Sequence, residues 1–328
     1  MSATLRPVPG MRAEDLPATS AKRPSCHAAT ALALPDGTLL ASWYAGTEEK
    51  HPDVAVLLAA RAPGGVWDAP ETVVDTPGRS EGNPVLGLDP SGRLWLFFVT
   101  MDGDGWKTCR IRYRRAEAPG APWSADGAIT DFPGWMIRCK PVVLPGDRWL
   151  LPAYDERTWE GFMLLSTDAG EHFAASGRIS APRGLIQPTL LPRDDGRILA
   201  LLRSRDGWIW RSLSADGGQT WAPPQPTVLP NPNSGIDAVR LGSGAFLLVY
   251  NDSNRLRSPL VAALSDDGGD TWGPPHILVE GPGEYSYPAV VEGHDGEVHV
   301  LYTHERRTIR HLAFRPEALA IHAAGRTC

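Results

Sequence analysis

Apolar residues in this chain fall into short, strand-sized runs separated by glycine turns, and no long stretch repeats at helical spacing. Six times an apolar stretch reaches a tight turn: "PDG" (35–37), "PSG" (90–92), "PGD" (145–147), "DDG" (194–196), "GSG" (242–244) and "HDG" (294–296). Glycine at such a turn adopts positive φ without a steric penalty, which suits a two-strand connection. A second run follows each turn: "TLLASWY", "RLWLFFV", "RWLLPAY", "RILALLR", "AFLLVYN" and "EVHVLYT". Third runs come next: "DVAVLLAAR", "KTCRIRYRR", "GFMLLS", "WIWRSLS", "PLVAALS" and "TIRHLAF". Weaker fourth runs such as "PQPTVLP" and "PPHILVE" complete a unit. Four antiparallel strands per unit and six units predict an all-β, six-bladed β-propeller. The pattern predicts one domain over 1–328, with blades beginning near His27, Asn83, Lys140, Gln187, Asp237 and Tyr287. The last unit lacks its own fourth strand, and "TLRPVP" (4–9) is the expected donor that closes the ring.

Three copies of an eight-residue box reinforce the repeat: "STDAGEHF" (166–173), "SADGGQTW" (214–221) and "SDDGGDTW" (265–272). A period near 50 residues marks a repeat architecture. Each box sits at the turn between third and fourth strands. There, Ser and Asp side chains bond the turn's own amides, Gly takes the unusual dihedrals, and the aromatic ring tucks between sheets. A calcium loop needs more oxygen donors at defined intervals. Asp168, Asp216 and Asp267 are therefore read as scaffold.

Composition narrows the function. The 328 residues are 42% hydrophobic and 21% charged, as expected of a globular chain with a sizeable core. A net charge of −6 argues against a phosphate-binding surface, so no nucleic-acid partner is expected. The N-terminal "MSATLRPVPGMRAEDL" has no apolar leader core and no run could span a bilayer, so no membrane partner is expected. Cys26, Cys109, Cys139 and Cys328 show neither metal spacing nor disulfide density. These features predict a cytoplasmic protein with free thiols, no cofactor and no metal. Oligomeric state stays open.

In a propeller the heads of the first strands surround one mouth of the central channel. His27, Asn83, Lys140, Gln187, Asp237 and Tyr287 stand at those heads, one polar residue per blade. Four of them precede proline, which is expected to hold them extended. A convergent polar ring in a concave mouth is what a ligand site requires. Loops on the same face add Glu48 and Asp53 in "AGTEEKHPD", Arg257 in "NDSNRLRS" and Arg306 in "YTHERRT". Arg203, Asn251 and Tyr302 end second strands, where a rigid sheet is expected to aim them at the pocket. Glu49, Arg157 and Arg307 read as solvated loop charges.

The boxes, the repeats and the ring together resemble the sialidase superfamily of BNR-repeat, or Asp-box, proteins over about residues 20–315. The resemblance implies a sialidase-like propeller and a carbohydrate substrate. It places the nucleophilic tyrosine at Tyr285, in "EYSYPAV", with Tyr287 as the neighbouring candidate. It sets His27 where sialidases carry an arginine that clamps the substrate carboxylate, so the chain looks like a sialidase-like subgroup without that arginine. Asp237 stands near the position of the acid that activates the tyrosine, and Asp53 or Glu48 near that of the general acid. A sialidase-like exo-glycosidase on a terminal anionic sugar is the first expectation; sialidases use a tyrosine nucleophile. The alternatives are a polysaccharide lyase with His27 as base and Lys140 or Arg203 neutralising a uronate, and a non-catalytic sugar-binding propeller. Asn83, Lys140, Gln187, Arg203, Asn251, Arg257, Tyr302 and Arg306 are the expected substrate-binding residues.

Overall fold

Each of the six glycine turns closes a hairpin. Gly37 (φ 85°) and Gly296 (φ 76°) show why glycine is needed there, since both lie in the left-handed region. The computed structural model describes residues 4–6, 8–17 and 22–319. Its strands form six antiparallel sheets arranged as the blades of a propeller. Blade 1 runs Ser25–Ala33, Leu39–Gly46, Ala55–Arg61 and Glu71–Val74 from axis to rim, and blade 2 runs Glu81–Leu88, Leu94–Met101, Cys109–Ala116 and Gly127–Ala128. In blade 3 the inner strand is broken into Trp135–Ile137 and Val142–Leu144, followed by Arg148–Asp155, Glu160–Ser166 and Ala174–Ala175. Blade 4 comprises Leu185–Pro192, Ile198–Ser204, Trp208–Ser214 and Gln225–Pro230. Blade 5 comprises Asp237–Arg240, Phe246–Asn251, Leu260–Ser265 and His276–Glu280, and blade 6 Tyr285–Glu292, Val298–His304 and Thr308–Phe314.

The closing strand differs from the expected one. Arg12–Asp15 pairs with the third strand of blade 6, in the register Arg12↔Ala313 to Asp15↔Arg310. Thr4–Leu5 instead adds an outer strand to blade 5, opposite Glu280 and Val279. Charge explains the choice. Asp15 meets Arg310 at 2.6 Å, Arg12 meets Glu297 at 2.5 Å, and Glu14 lies 3.1 Å from His311. Pro9, which has no N–H for a ladder, lies in the turn between the two strands. Residue 7 of the expected strand lies outside the described residues.

Leu39–Gly46 and Leu94–Met101 are buried along their whole length, because neighbouring blades cover both faces. The core is accordingly divided among the seams. Phe98 and Leu86 pack with Leu40 and Val56 between blades 1 and 2, and Trp149 with Trp95 and Phe97 between blades 2 and 3. Tyr285 and Tyr302 pack between blades 5 and 6. Cys26, Cys109 and Cys139 are buried thiols outside any disulfide, and Cys328 lies outside the described residues.

The boxes behave as scaffold. The Asp267 carboxylate accepts from the amides of Asp270 (3.0 Å) and Thr271 (2.9 Å), and the Ser265 hydroxyl accepts from Gly269 N–H at 2.9 Å. Each box also leans on the preceding blade. A Cβ at Gly269 would lie 2.3 Å from Leu199 of blade 4, at Gly218 2.7 Å from Leu150 of blade 3, and at Gly170 2.8 Å from Trp95 of blade 2.

Asp267→Ala should lower the unfolding free energy by about 1 kcal/mol, the usual size of a lost local hydrogen-bond set. Asp237→Ala should cost about 3 kcal/mol, because it strands the charge of Lys140, its partner at 2.7 Å, near the axis. Denaturant titrations check both; equal losses would contradict the separation of box from axis.

Candidate active site at the mouth of the propeller

Four inner strands bulge at their heads. The register jumps between His27 and Thr30, Gly82 and Val85, Ile186 and Thr189, and Ser286 and Ala289. Within these bulges Ala28, Asn83, Gln187 and Tyr287 have φ of 54°, 43°, 54° and 53°. The expectation of extended backbone before proline therefore fails at Asn83, Gln187 and Tyr287. A bulge re-aims a side chain, and here it separates Tyr287 from Tyr285. Tyr285 stays in the seam between blades 5 and 6, its hydroxyl donating to the Pro282 carbonyl at 3.0 Å. Tyr287 lines the mouth.

The mouth is a cavity of about 310 Å³. Tyr287 is its centre. Arg203 donates through Nη1 to the Tyr287 hydroxyl (2.5 Å) and to Gln187 Oε1 (3.0 Å), and through Nε to Asn233 Oδ1 (2.8 Å). Tyr154 accepts from Asn83 (3.1 Å) and Gln187 (3.3 Å), which fixes both amides. Arg257 donates to Glu284 at 2.7 Å, and Arg306 donates to Glu284 at 3.0 Å and also pairs with Glu49. Four guanidiniums thus line the cavity, the fourth being Arg205; Arg257 and Arg306 are bound to carboxylates, whereas the hydrogen bonds of Arg203 go to neutral groups alone. Gly235 keeps the space open, since a Cβ there would lie 3.3 Å from the Tyr287 ring.

Beneath Tyr287, Arg138 crosses from blade 3 to the opposite blade and donates to the carbonyls of Tyr287 (2.9 Å) and Pro288 (3.1 Å). Burial alone would raise the Tyr287 phenol pKa. The Arg203 and Arg257 charges, with hydrogen bonds from Arg203 and Gln187, outweigh it and set the group below the ordinary tyrosine value. Tyr44 and Tyr154, in the same cavity, are pushed well above it by burial. Burial raises the Glu156 carboxyl, although Arg203 and Arg205 pull against it. Glu284 is lowered: burial is outweighed by the Ser286 bond and the Arg257 and Arg306 charges.

The match to known families is found over residues 37–300, which fit the BNR repeat-like domain model. This chain belongs to the BNR repeat-like domain family. No curated protein matches it in sequence. Among solved structures, a Hadza microbial sialidase superposes with a TM-score of 0.78 at 17% identity, over 90% of this chain and 67% of that one. A Dyadobacter fermentans protein of unknown function gives 0.79 at 16% identity, over 93% and 99%. The intramolecular trans-sialidase of Ruminococcus gnavus gives 0.74 at 15%, over 91% and 96%. At such identities the likeness establishes the sialidase-type propeller and nothing finer.

The BNR-repeat mouth collects Asn83, Gln187, Arg203, Arg257, Tyr287 and Arg306 from the expected set. The other expected residues lie elsewhere. His27 stands one residue before the bulge position and packs behind the cavity, its ring 4.3 Å from that of Tyr287; burial first, then Arg306 and Arg257, keep it neutral. Lys140 and Asp237 pair further down the axis, where Thr189 (2.9 Å) and the Val290 amide (2.9 Å) also bond Asp237. That carboxylate is fully occupied and is no base for Tyr287. Asn251 donates to the carbonyls of Tyr285 (2.8 Å) and Pro259 (3.2 Å). Tyr302 alternates with the inward Thr303 and so joins the seam core. Glu48 is exposed in its loop. Asp53 accepts from Thr47 Oγ1 at 2.6 Å; burial opposes, yet the Thr47 and His51 bonds hold its pKa at about 2, too low for a general acid. Conversely, Glu49 lines the mouth, as do Tyr44, Glu156 and Trp159. Glu284 was also missed, although "EYSY" places it at a strand head beside the tyrosines. A larger groove of about 620 Å³ lies at the opposite end of the blade 6–blade 1 seam, among the turn residues Asp36, Gly37 and Asp295.

Following the ultraviolet absorbance of tyrosinate against pH should show one residue ionising below the free-tyrosine value of about 10. That step should vanish in Tyr287→Phe. Its persistence there would contradict the assignment.

Proposed function

We propose that the chain is a sialidase-like exo-glycosidase acting on a terminal, carboxylated sugar. The observation that carries the reading is the Tyr287 hydroxyl, bonded at 2.5 Å by a guanidinium that has no carboxylate partner of its own. Arg203 uses Nε and Nη1 on Asn233, Gln187 and Tyr287, which leaves Nη2 for a substrate carboxylate. Among the described residues no carboxylate bonds the Tyr287 hydroxyl, so the phenolate forms through cationic surroundings. The phenolate oxygen attacks the anomeric carbon as the bond to the leaving oxygen breaks, and the Glu156 carboxyl gives that oxygen its proton. In the second step the Glu156 carboxylate takes a proton from water. The water oxygen bonds to the anomeric carbon and Tyr287 leaves as phenolate. A raised Glu156 and a lowered Tyr287 suit these opposite roles.

One observation favours a second reading. Gln187 and Arg203 beside an acidified tyrosine also fit an elimination on a uronate, with Tyr287 removing the proton next to the carboxylate. His27, packed behind Tyr287, is not the base in that scheme. An eliminase leaves an unsaturated sugar that absorbs in the ultraviolet, and a hydrolase does not.

Purified protein should release product from sialosides, and Tyr287→Phe should reduce turnover about a hundredfold or more. Glu156→Gln should lose about as much on an oligosaccharide, yet far less on an aryl glycoside whose leaving group needs no proton. Equal losses on the two substrates would remove Glu156 as the acid. Turnover of uronides alone, with an unsaturated product, would select the second reading.

A further inference from the structure

A second cavity of about 390 Å³ adjoins the mouth, and the two share Trp159 and Arg205 as walls. Arg157, Arg183 and Arg205 line this second cavity. Arg157 is already neutralised, bonding Asp155 through Nε (3.0 Å) and Nη2 (2.8 Å). Arg183 and Arg205 have no carboxylate within ion-pair distance among the described residues. Arg205 instead stacks on the Trp159 indole, 3.1 Å from its centroid, while Arg203 stands 5.9 Å from the same ring. Arg203 and Arg205 therefore flank one indole between the two cavities, with Glu156 as their nearby carboxyl, and Arg183 adds a guanidinium to the second cavity.

Trp159 is held firmly. Its φ of 59° lies in the left-handed region, which a bulky side chain occupies only where the surroundings over-determine it. Its N–H donates to the Asp155 carbonyl and its carbonyl accepts from Leu185 N–H, both at 2.8 Å. Gly184 packs so closely that a Cβ would lie 2.7 Å from the Trp159 Cβ. With Arg205 stacked on it, the indole fixes a guanidinium in place, and guanidiniums bind carboxylate or sulfate with paired hydrogen bonds. A neutral second sugar would leave Arg183 and Arg205 without a role.

We propose that the second cavity is a subsite for an anionic group on the sugar adjoining the one held in the mouth, so that substrates carry negative charge on consecutive residues. This rests on the reading of the mouth as a site for a carboxylated sugar. The test is equilibrium binding to Tyr287→Phe protein, which leaves the ligands intact. Sialyllactose, whose second sugar is neutral, is compared with disialic acid, whose second sugar carries a carboxylate. Disialic acid should bind about fivefold more tightly, the scale of one or two partly solvated ion pairs. The ratio should fall towards one in Arg183→Ala and with added salt. Equal binding of the two ligands, or a ratio unchanged in Arg183→Ala, overturns the subsite alone. Binding of neither ligand removes the mouth reading and the subsite with it.

Discussion

Six inner strands meet at the axis of this molecule, and each brings polar backbone that must be bonded away from bulk water. The Asp237 carboxylate settles much of that requirement. It gathers Lys140 of blade 3, Thr189 of blade 4 and the Val290 amide of blade 6 around one residue of blade 5. Related bonds complete the circle: Ala28 N–H to Thr303, Leu86 N–H to Thr30, and Asn83 to the Ile137 carbonyl. Arg138 adds a strut across the diameter. A ring tied this way fixes the heads of the strands, and those heads build the mouth.

The same arrangement decides which charges are left to act. Lys140 and Asp237 neutralise each other below the mouth, and Glu284 is shared by Arg257 and Arg306 at its side. Arg203 bonds only neutral partners, so its charge falls on the Tyr287 hydroxyl and on whatever enters the cavity. Electrostatic preorganisation of this kind needs no rearrangement when a negative ligand arrives. It also explains how a tyrosine can be acidified without a neighbouring base.

Much of this was legible in the sequence. The glycine turns, the period of the boxes and the seven-residue second runs determine the six sheets, because each reports a local constraint. The mouth was legible where strand heads follow the common pattern, as at Asn83, Gln187 and Tyr287, and in Arg203, Arg257 and Arg306, which second-strand ends and loops carry to the same face. Bulges and a broken strand moved others. One extra step separates His27 from the bulge position at Ala28, and a broken strand in blade 3 carries Lys140 down the axis while Arg138 takes the crossing place. Tyr285 and Tyr287 are indistinguishable by alternation, and only the bulge between Ser286 and Ala289 parts them. Glu49 reads as a solvated loop charge, and nothing local gives Glu284 a role, until the fold brings Arg257 and Arg306 to them. The ring-closing strand depended on charge pairing across nearly 300 residues of chain, as between Asp15 and Arg310. No local pattern carries that information.

The most direct measurement is to trap the nucleophile. A fluorinated anionic sugar with a good leaving group slows the second step and lets a glycosyl–enzyme intermediate accumulate. Peptide mass spectrometry should then find the sugar on Tyr287, in the peptide that also contains Tyr285. Fragmentation should assign it to Tyr287, and Tyr287→Phe protein should carry no label. A label on Tyr285 or on a carboxylate would contradict the role given to Tyr287, as would turnover of the reagent with no covalent species at all.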